Sequence, residues 1–153
     1  MRIVLMSGIP GSGKSTFIEK HFPQAAVCSA DKFFMASGEY CFDASKLGEA
    51  HGECLRSFIH RVSFDGCETV VVDNTNLSAL ELAPYVAIAN AFGITPELYT
   101  LNVATDVAAA RNVHGVPAAG IERMANALEE RKLPPYWNIK QNIVDVYGEV
   151  ITR

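Results

Sequence analysis

A glycine-rich segment near the N-terminus has the residue types and spacing of a phosphate-binding loop. Residues 8–15 read Gly-Ile-Pro-Gly-Ser-Gly-Lys-Ser, which fits the pattern G-x-x-x-x-G-K-[ST]. Glycines let the backbone curl so that successive N–H groups point into one concavity, and the helix that follows adds its positive N-terminal end. The residues that we expect to bind the phosphates of a nucleotide are Gly8, Gly11, Ser12, Gly13, Lys14, Ser15 and Thr16.

Two residues of this loop have predicted chemical roles beyond the backbone cradle. In this pattern the lysine, here Lys14, reaches the β- and γ-phosphates, and the hydroxyl of Ser15 is a ligand for Mg²⁺. The alternative is a glycine-rich turn that binds nothing. We favour nucleotide binding because an apolar strand precedes the loop and a helical pattern follows it.

Two aspartates come directly after predicted strands, where ligands bind in open α/β sheets. Asp31 follows the predicted strand 25–28, and we interpret it as the general base that accepts the proton of an alcohol during phosphoryl transfer. Asp73 follows the β-branched run 69–72, and we expect it to hold Mg²⁺ together with Ser15. The alternatives are ordinary capping roles, a helix N-cap for Asp31 and a turn cap for Asp73.

A cation from a mobile element would stabilise the charge of the transferring phosphoryl group. Arg111 stands just before a Gly/Pro-containing break and is our catalytic candidate for such a lid, with Arg123 as the next choice and a solvated helix arginine as the alternative for both. His114 is interpreted as a turn residue. The aromatic residues Tyr136 and Trp137 would either stack on a base or pack a loop. Residues 129–132 read Glu-Glu-Arg-Lys and are predicted to form a solvated face.

Strands that alternate with helices must position these side chains. The patterns predict strands over 2–6, 25–28, 69–72, 97–103 and 143–151, the last bent at Gly148. Predicted helices cover 16–21, 44–62, 78–92, 105–111 and 121–131, with Asp43 as a cap and Ser78 with Glu81 as a capping box. The fold class is therefore α/β, a three-layer arrangement around a mainly parallel five-stranded sheet, in a single domain over residues 1–153.

Composition restricts the class of protein. Of the 153 residues 49% are hydrophobic and 20% are charged, and no apolar run approaches the length of a membrane span. The N-terminus lacks a signal-peptide pattern, and the four cysteines form no C-x-x-C pair. We expect a cytoplasmic protein with reduced thiols and no membrane partner. The net charge of −4 weighs against a nucleic-acid binder with a basic surface throughout, although it permits a local basic groove.

The order of these motifs resembles the bacteriophage-type polynucleotide 5′-hydroxyl kinases, within the larger group of AAA- and zeta-toxin-like P-loop kinases. The resemblance rests on the loop 8–16, on Ser29-x-Asp31, on the Asp-Asn-Thr-Asn-Leu run 73–77 and on Arg111-Asn112. The string 111–117 with Ile121 and Met124 is also similar to the kinase-like domain of certain eukaryotic ubiquitin-ligase-binding proteins.

The resemblance implies a P-loop kinase fold with a helical lid, ATP and Mg²⁺, and a 5′-hydroxyl nucleic acid or nucleotide as acceptor. It also implies Asp31 as the base towards that hydroxyl and Arg111 as the lid arginine. The chain departs from the phage pattern at two positions, since Phe34 stands where the phage kinase has arginine and Asn74 stands where it has an acidic residue. Two other functions stay open, a kinase of a small alcohol such as a nucleoside, sugar or antibiotic, and a non-catalytic nucleotide-binding module.

Overall fold

The centre of the fold is a sheet whose middle strands are apolar on both faces. The computed structural model describes residues 1–112 and 115–152, and its sheet has the order β2-β3-β1-β4-β5-β6. The strands are β1 Arg2–Ser7, β2 Ala26–Cys28, β3 Thr69–Asp73, β4 Glu97–Leu101, β5 Lys140–Val144 and β6 Val150–Thr152. The first five strands pair in parallel, as predicted, so their carboxyl ends lie along one edge.

The last predicted strand, 143–151, is a hairpin and not one bent strand, so the sheet has a sixth strand that pairs antiparallel to β5. The turn that separates β5 from β6 is built by Asp145, whose carboxylate accepts the backbone N–H groups of Tyr147 and Glu149, both at 2.9 Å. Gly148 takes a φ of 79°, which lets the chain reverse. The glycine that suggested a bend therefore completes a tight turn.

Helices cover both faces of the sheet because its strands alternate their side chains between two cores. The helices are α1 Lys14–His21, α2 Asp31–Phe34, α3 Leu47–Ser63, α4 Ala79–Ala91, α5 Thr105–Arg111 and α6 Ala118–Glu130. Ile3 and Leu5 point to the core under α3 and α4, whereas Val4 and Met6 point to the core under α1. This is the predicted three-layer α/β arrangement.

The capping interactions predicted at the starts of two of these helices are present in the structure. Ser78 and Glu81 form the predicted capping box at the start of α4. The carboxylate of Asp43 accepts the backbone N–H of Ser45 and begins a 3₁₀ turn, Ala44–Lys46, that leads into α3. Within the described part of the chain, every helix is too short or too polar to cross a bilayer.

Candidate active site

The loop between β1 and α1 has a conformation that only glycine supports at two of its positions. Gly11 has a φ of 80° and Gly13 a φ of 96°. Gly11 also lies against α5, where an added Cβ would stand 2.1 Å from the carbonyl oxygen of Ala108. A Cβ on Gly8 would stand 2.6 Å from the hydroxyl of Ser12. The glycines therefore provide both the curl of the loop and its close approach to the neighbouring helix.

The side chain of Lys14 folds back across this loop. Its Nζ donates hydrogen bonds to the carbonyl oxygens of Gly8 at 3.0 Å and Ile9 at 3.2 Å. Burial lowers the pKa of Lys14, and the negative charges of Asp73 and Asp31 oppose that shift. The ammonium group thus lies in the same electrostatic environment as both predicted aspartates.

The loop contains a buried hydroxyl that can still bond to a ligand. The Oγ of Ser12 is buried and has no hydrogen-bond partner among the described residues. An unmet buried polar group is unfavourable, typically by about 1–3 kcal/mol, so such groups are expected to have partners when the site is in use. A phosphate oxygen at the loop would supply one.

The predicted residues surround one cavity of about 720 Å³, which we call the phosphate cavity. Its wall includes the loop residues 11–16, Asp31, residues 73–75, Arg111 and the β5–β6 turn. Gly8 contributes to the site through its carbonyl oxygen, which accepts the hydrogen bond from Nζ of Lys14. Four of these five segments were predicted from their local patterns, whereas the β5–β6 turn was not, and all five lie around a common space.

Asp31 is the first residue of α2, and the N-cap of that helix is Ala30. The hydroxyl of Ser29 accepts the backbone N–H of Asp31 at 3.2 Å. The Tyr40 hydroxyl donates to Oδ1 of Asp31 at 3.5 Å. Burial raises the pKa of Tyr40, and the Asp31 carboxylate raises it further. Asp31 is exposed and lines the phosphate cavity.

Asn74 is a site residue that the sequence reading did not single out for a role. It is buried, its side-chain oxygen accepts the N–H of Ala30 at 2.9 Å, and its Nδ2 donates to the thiol of Cys54 at 3.5 Å. The signal that could have revealed it is a polar residue directly after an apolar central strand, where the main chain leaves the sheet and needs a partner.

The remaining candidates lie outside the wall of the phosphate cavity or outside the described residues. Arg123 is exposed on α6 and does not line the phosphate cavity, and His114 lies outside the described residues. Tyr136 is 84% exposed, whereas Trp137 packs against the core under α3 and α4, so neither is placed to stack on a base in this cavity. Tyr147, in the β5–β6 turn, lines the cavity instead.

The prediction that residues 129–132 form a solvated face is wrong for Arg131. Its guanidinium is half-buried and donates to the hydroxyl of Ser7, the carbonyl of Asn76 and the hydroxyl of Thr100. Burial lowers its pKa, partly opposed by the charge of Glu81. Helical periodicity missed it because Arg131 follows the last turn of α6, where the chain turns in towards the sheet.

A second cavity, of about 640 Å³, lies between α2 and α3, and we call it the α2–α3 cavity. Aromatic side chains, thiols and two lysines line it, including Phe34, Phe42, Cys54, Lys32 and Lys46. It adjoins the phosphate cavity through α2, because Asp31 lines one cavity and the next three residues line the other.

The residues of the phosphate cavity fit a magnesium ion that is bound together with a nucleotide. The described residues contain no cluster of three or more histidine, cysteine, aspartate or glutamate side chains able to hold a metal by themselves. Ser15 and Asp73 both line the cavity and offer oxygen ligands. Mg²⁺ prefers such a site, in which one or two protein oxygens are completed by phosphate oxygens and water.

Comparisons with known proteins identify the family. Residues 3–130 match the family model described as AAA domain. NEDD4-binding protein 2 of Homo sapiens is 34% identical over 134 residues, which are 80% of this chain and 7% of that protein. This chain therefore spans only a small part of that relative's length.

Solved structures share the fold at low sequence identity. A chain of the Pnkp1/Rnl/Hen1 RNA repair complex has a TM-score of 0.69 and 19% identity, covering 84% of this chain and 44% of that chain. A gluconokinase from Sinorhizobium meliloti 1021 has a TM-score of 0.55 and 19% identity, covering 97% of this chain and 84% of that chain. Since the family model covers most of the sequence and these neighbours confirm the predicted architecture, the chain belongs to the AAA domain family and has the α/β fold of the P-loop kinases.

Proposed function

We propose that this chain is an ATP-dependent polynucleotide 5′-hydroxyl kinase, which transfers the γ-phosphate of ATP to the 5′-hydroxyl of DNA or RNA. The observation that carries the proposal is the grouping of Lys14, Asp31, Asp73 and Arg111 around the phosphate cavity. A nucleotide-binding module without catalysis would need the lysine but not an exposed carboxylate at the end of β2.

In the proposed reaction the hydroxyl oxygen of the acceptor bonds to the γ-phosphorus, while the bond from that phosphorus to the β–γ bridging oxygen breaks and ADP leaves. Asp31 accepts the hydroxyl proton. Lys14 and the backbone N–H groups of the loop bind the β- and γ-phosphates, and Arg111 meets the charge that spreads over the transferring group. Mg²⁺, held by Ser15 and Asp73, would neutralise phosphate charge when bound.

The α2–α3 cavity is the proposed route of the acceptor. Asp31 lines the phosphate cavity and Lys32, Phe33 and Phe34 line the α2–α3 cavity, so α2 connects the proposed base with the proposed acceptor site. Lys32 and Lys46 offer positive charge and Phe33 and Phe42 offer flat apolar surface, which suits a nucleotide at the end of a strand. The RNA-repair neighbour lends support at the level of the fold.

A second candidate is a kinase of a small-molecule alcohol. The observation that favours it is Phe34, which is 4% exposed and fills the position where a phage-type kinase has arginine. Phe34 adds apolar surface to the wall of the α2–α3 cavity and no charge for a strand phosphate. Asp43 and Glu53 line the same cavity and would repel a polyanion, and the gluconokinase neighbour has the same fold.

Transfer of labelled γ-phosphate separates these functions. The full chain is incubated with Mg²⁺, labelled ATP and either a 5′-hydroxyl oligonucleotide or a panel of nucleosides, sugars and aminoglycosides. Label on the oligonucleotide supports the first function, and label on a small alcohol supports the second. ATP binding without transfer to any acceptor would reject both in favour of the non-catalytic module.

A further inference from the structure

Arg131 joins the ends of three neighbouring strands by one guanidinium group. Its Nη1 donates to the hydroxyl of Ser7 at 2.6 Å and to the carbonyl oxygen of Asn76 at 2.8 Å. Its Nη2 donates to the hydroxyl of Thr100 at 3.0 Å. Ser7 ends β1, Asn76 follows β3 and Thr100 lies near the end of β4, so the group spans the carboxyl edge of the sheet.

The atoms that Arg131 contacts lie where the phosphate loop begins. Ser7 directly precedes Gly8, and the N–H of Gly8 donates to the carbonyl of Thr75 at 3.0 Å. The Ser7 hydroxyl donates to Asn76 O at 3.1 Å, and the Asn76 side chain donates to the carbonyl of Met6 at 2.7 Å. This network fixes the start of the loop against the segment that carries Asp73, on which the predicted metal site depends.

Helix α6, which Arg131 follows, also packs against the phosphate loop. Ile121 of α6 packs with Ile9 and with Ala108 of α5 in a small buried cluster. Gly11 lies against the carbonyl of Ala108. Helices α5 and α6 therefore contact the phosphate loop at Ile9 and Gly11. Arg111 is the last residue of α5, and Arg131, which follows α6, donates to Ser7 directly before the loop.

The geometry is specific for a guanidinium. Two nitrogens in one plane serve three acceptors on three segments, whereas the single ammonium of lysine is a point donor on a flexible stem. Asn76 has a φ of 47°, which is uncommon for a residue other than glycine, and its carbonyl oxygen accepts a hydrogen bond from Arg131 in this conformation. None of these contacts reaches into the phosphate cavity, so Arg131 would act only through Ser7, Asn76 and Thr100.

We infer that Arg131 is a positioning residue for phosphoryl transfer, which holds the phosphate loop, the Asp73–Asn76 segment and the α5–α6 pair in their productive arrangement. The inference rests on the proposed kinase activity, whatever its acceptor. Displacements of about 1 Å at a catalytic site can reduce turnover about a hundredfold, so a positioning group outside the cavity can have a large kinetic effect.

The test compares Arg131→Met and Arg131→Lys with Lys132→Met, a control that removes the neighbouring exposed charge. We expect Arg131→Met to lower kcat about tenfold to a hundredfold at saturating ATP and acceptor. We also expect the Kd of a non-hydrolysable ATP analogue to change less than about threefold, since the loop amides and Lys14 remain. Arg131→Lys should fall between, and Lys132→Met should match the wild type.

Two further readouts separate positioning from simple loss of stability. Guanidinium chloride at millimolar concentration should restore part of the turnover of Arg131→Ala, whereas sodium chloride at the same concentration should not. Amide hydrogen exchange over residues 8–13 of the nucleotide-free protein should become faster in Arg131→Met and stay unchanged in Lys132→Met.

Folded Arg131→Met with wild-type kcat and wild-type exchange in the loop would overturn the inference. If that variant does not fold, wild-type kcat in folded Arg131→Lys would overturn it equally. A wild-type chain that binds ATP but phosphorylates no acceptor would instead reject the proposed function, and the exchange measurement would then decide only whether Arg131 holds the phosphate loop in place.

Discussion

The side-chain oxygen of Asn74 accepts a hydrogen bond from the backbone N–H of Ala30 at 2.9 Å. Asn74 directly follows Asp73, and Ala30 directly precedes Asp31, so one buried amide connects the segments that carry the two aspartates of the site. The other end of the amide, Nδ2, donates to the thiol of Cys54 and so fixes the orientation of the side chain. The same thiol accepts a hydrogen bond from the hydroxyl of Tyr85. A contact between their neighbours thus links the backbone segments of the two aspartates.

Replacing Asn74 with alanine should therefore affect both stability and turnover. The change leaves the N–H of Ala30 without its buried acceptor, which we expect to cost about 1–3 kcal/mol in urea unfolding. Because α2 begins at Asp31, we also expect kcat to fall while the Kd of ATP stays within a few-fold.

Asn90→Ala is the control, since the Asn90 side chain is also hydrogen-bonded to the backbone, donating to the carbonyls of Ile94 and Asn138, but lies away from the site. It should lower the free energy of unfolding without lowering kcat. Equal kinetic effects in the two variants would contradict a link between Asn74 and Asp31.

Replacing Asp31 with asparagine tests the proposed base. Loss of a positioned general base typically lowers turnover by about 10²–10⁴, and we expect kcat to fall by that amount. ATP binding, measured by calorimetry, should change little because the loop and Lys14 are unaltered. Asp65→Asn, an exposed change that alters only surface contacts with His60 and Arg61, should leave kcat at the wild-type value. Unchanged turnover in Asp31→Asn would remove Asp31 from the mechanism.

Replacing Gly11 with alanine tests the close contact between the phosphate loop and α5. A left-handed φ alone disfavours alanine by about 1–2 kcal/mol, and the added Cβ would also meet the Ala108 carbonyl. Gly66 has a φ of 61° with open space around it, so Gly66→Ala measures the conformational cost by itself. We expect Gly11→Ala to unfold at clearly lower urea concentration than Gly66→Ala and to bind ATP more weakly. Equal midpoints would show that the loop does not lie against the helix.

The ion pair of Arg2 and Glu97 should make stability depend on pH in the acid range. The guanidinium donates to both carboxylate oxygens, at 2.9 and 2.8 Å, and these hydrogen bonds hold the pKa of Glu97 below its usual value. Since Arg2 is half-exposed, we expect the pair to contribute at most about 1 kcal/mol.

A carboxyl with a lowered pKa in the folded state stabilises the fold above its ordinary pKa of 4.5, and that contribution is lost as the pH falls through the lower value. The difference in free energy of unfolding between the wild type and Arg2→Gln should therefore be full near neutral pH and vanish in strong acid. A difference that persists undiminished in strong acid would assign it to packing of the Arg2 side chain.

The parts of the site that were predictable from the sequence are those determined by local patterns. The loop 8–15 has its own signature, and Asp31 and Asp73 follow strands that pair in parallel, so the position of both carboxylates could be inferred without knowing the strand order. The capping box at Ser78 is equally local.

The parts that were missed depend on contacts between distant segments. Arg131 bonds to Ser7 across more than a hundred residues, and no periodicity within its own helix indicates this. The β5–β6 hairpin was misread because its turn is built by the side chain of Asp145, whose hydrogen bonds a pattern of apolar residues does not contain. Asn74 resembled an ordinary turn residue until its partner Ala30 was known.

The two cavities draw on different stretches of the chain. Every residue that lines the α2–α3 cavity falls between positions 28 and 57, whereas apart from Asp31 the phosphate cavity is built from residues outside that interval. Exchanging residues 28–57 for those of a relative, with Asp31 kept, would thus change the whole lining of the α2–α3 cavity and leave the lining of the phosphate cavity unaltered.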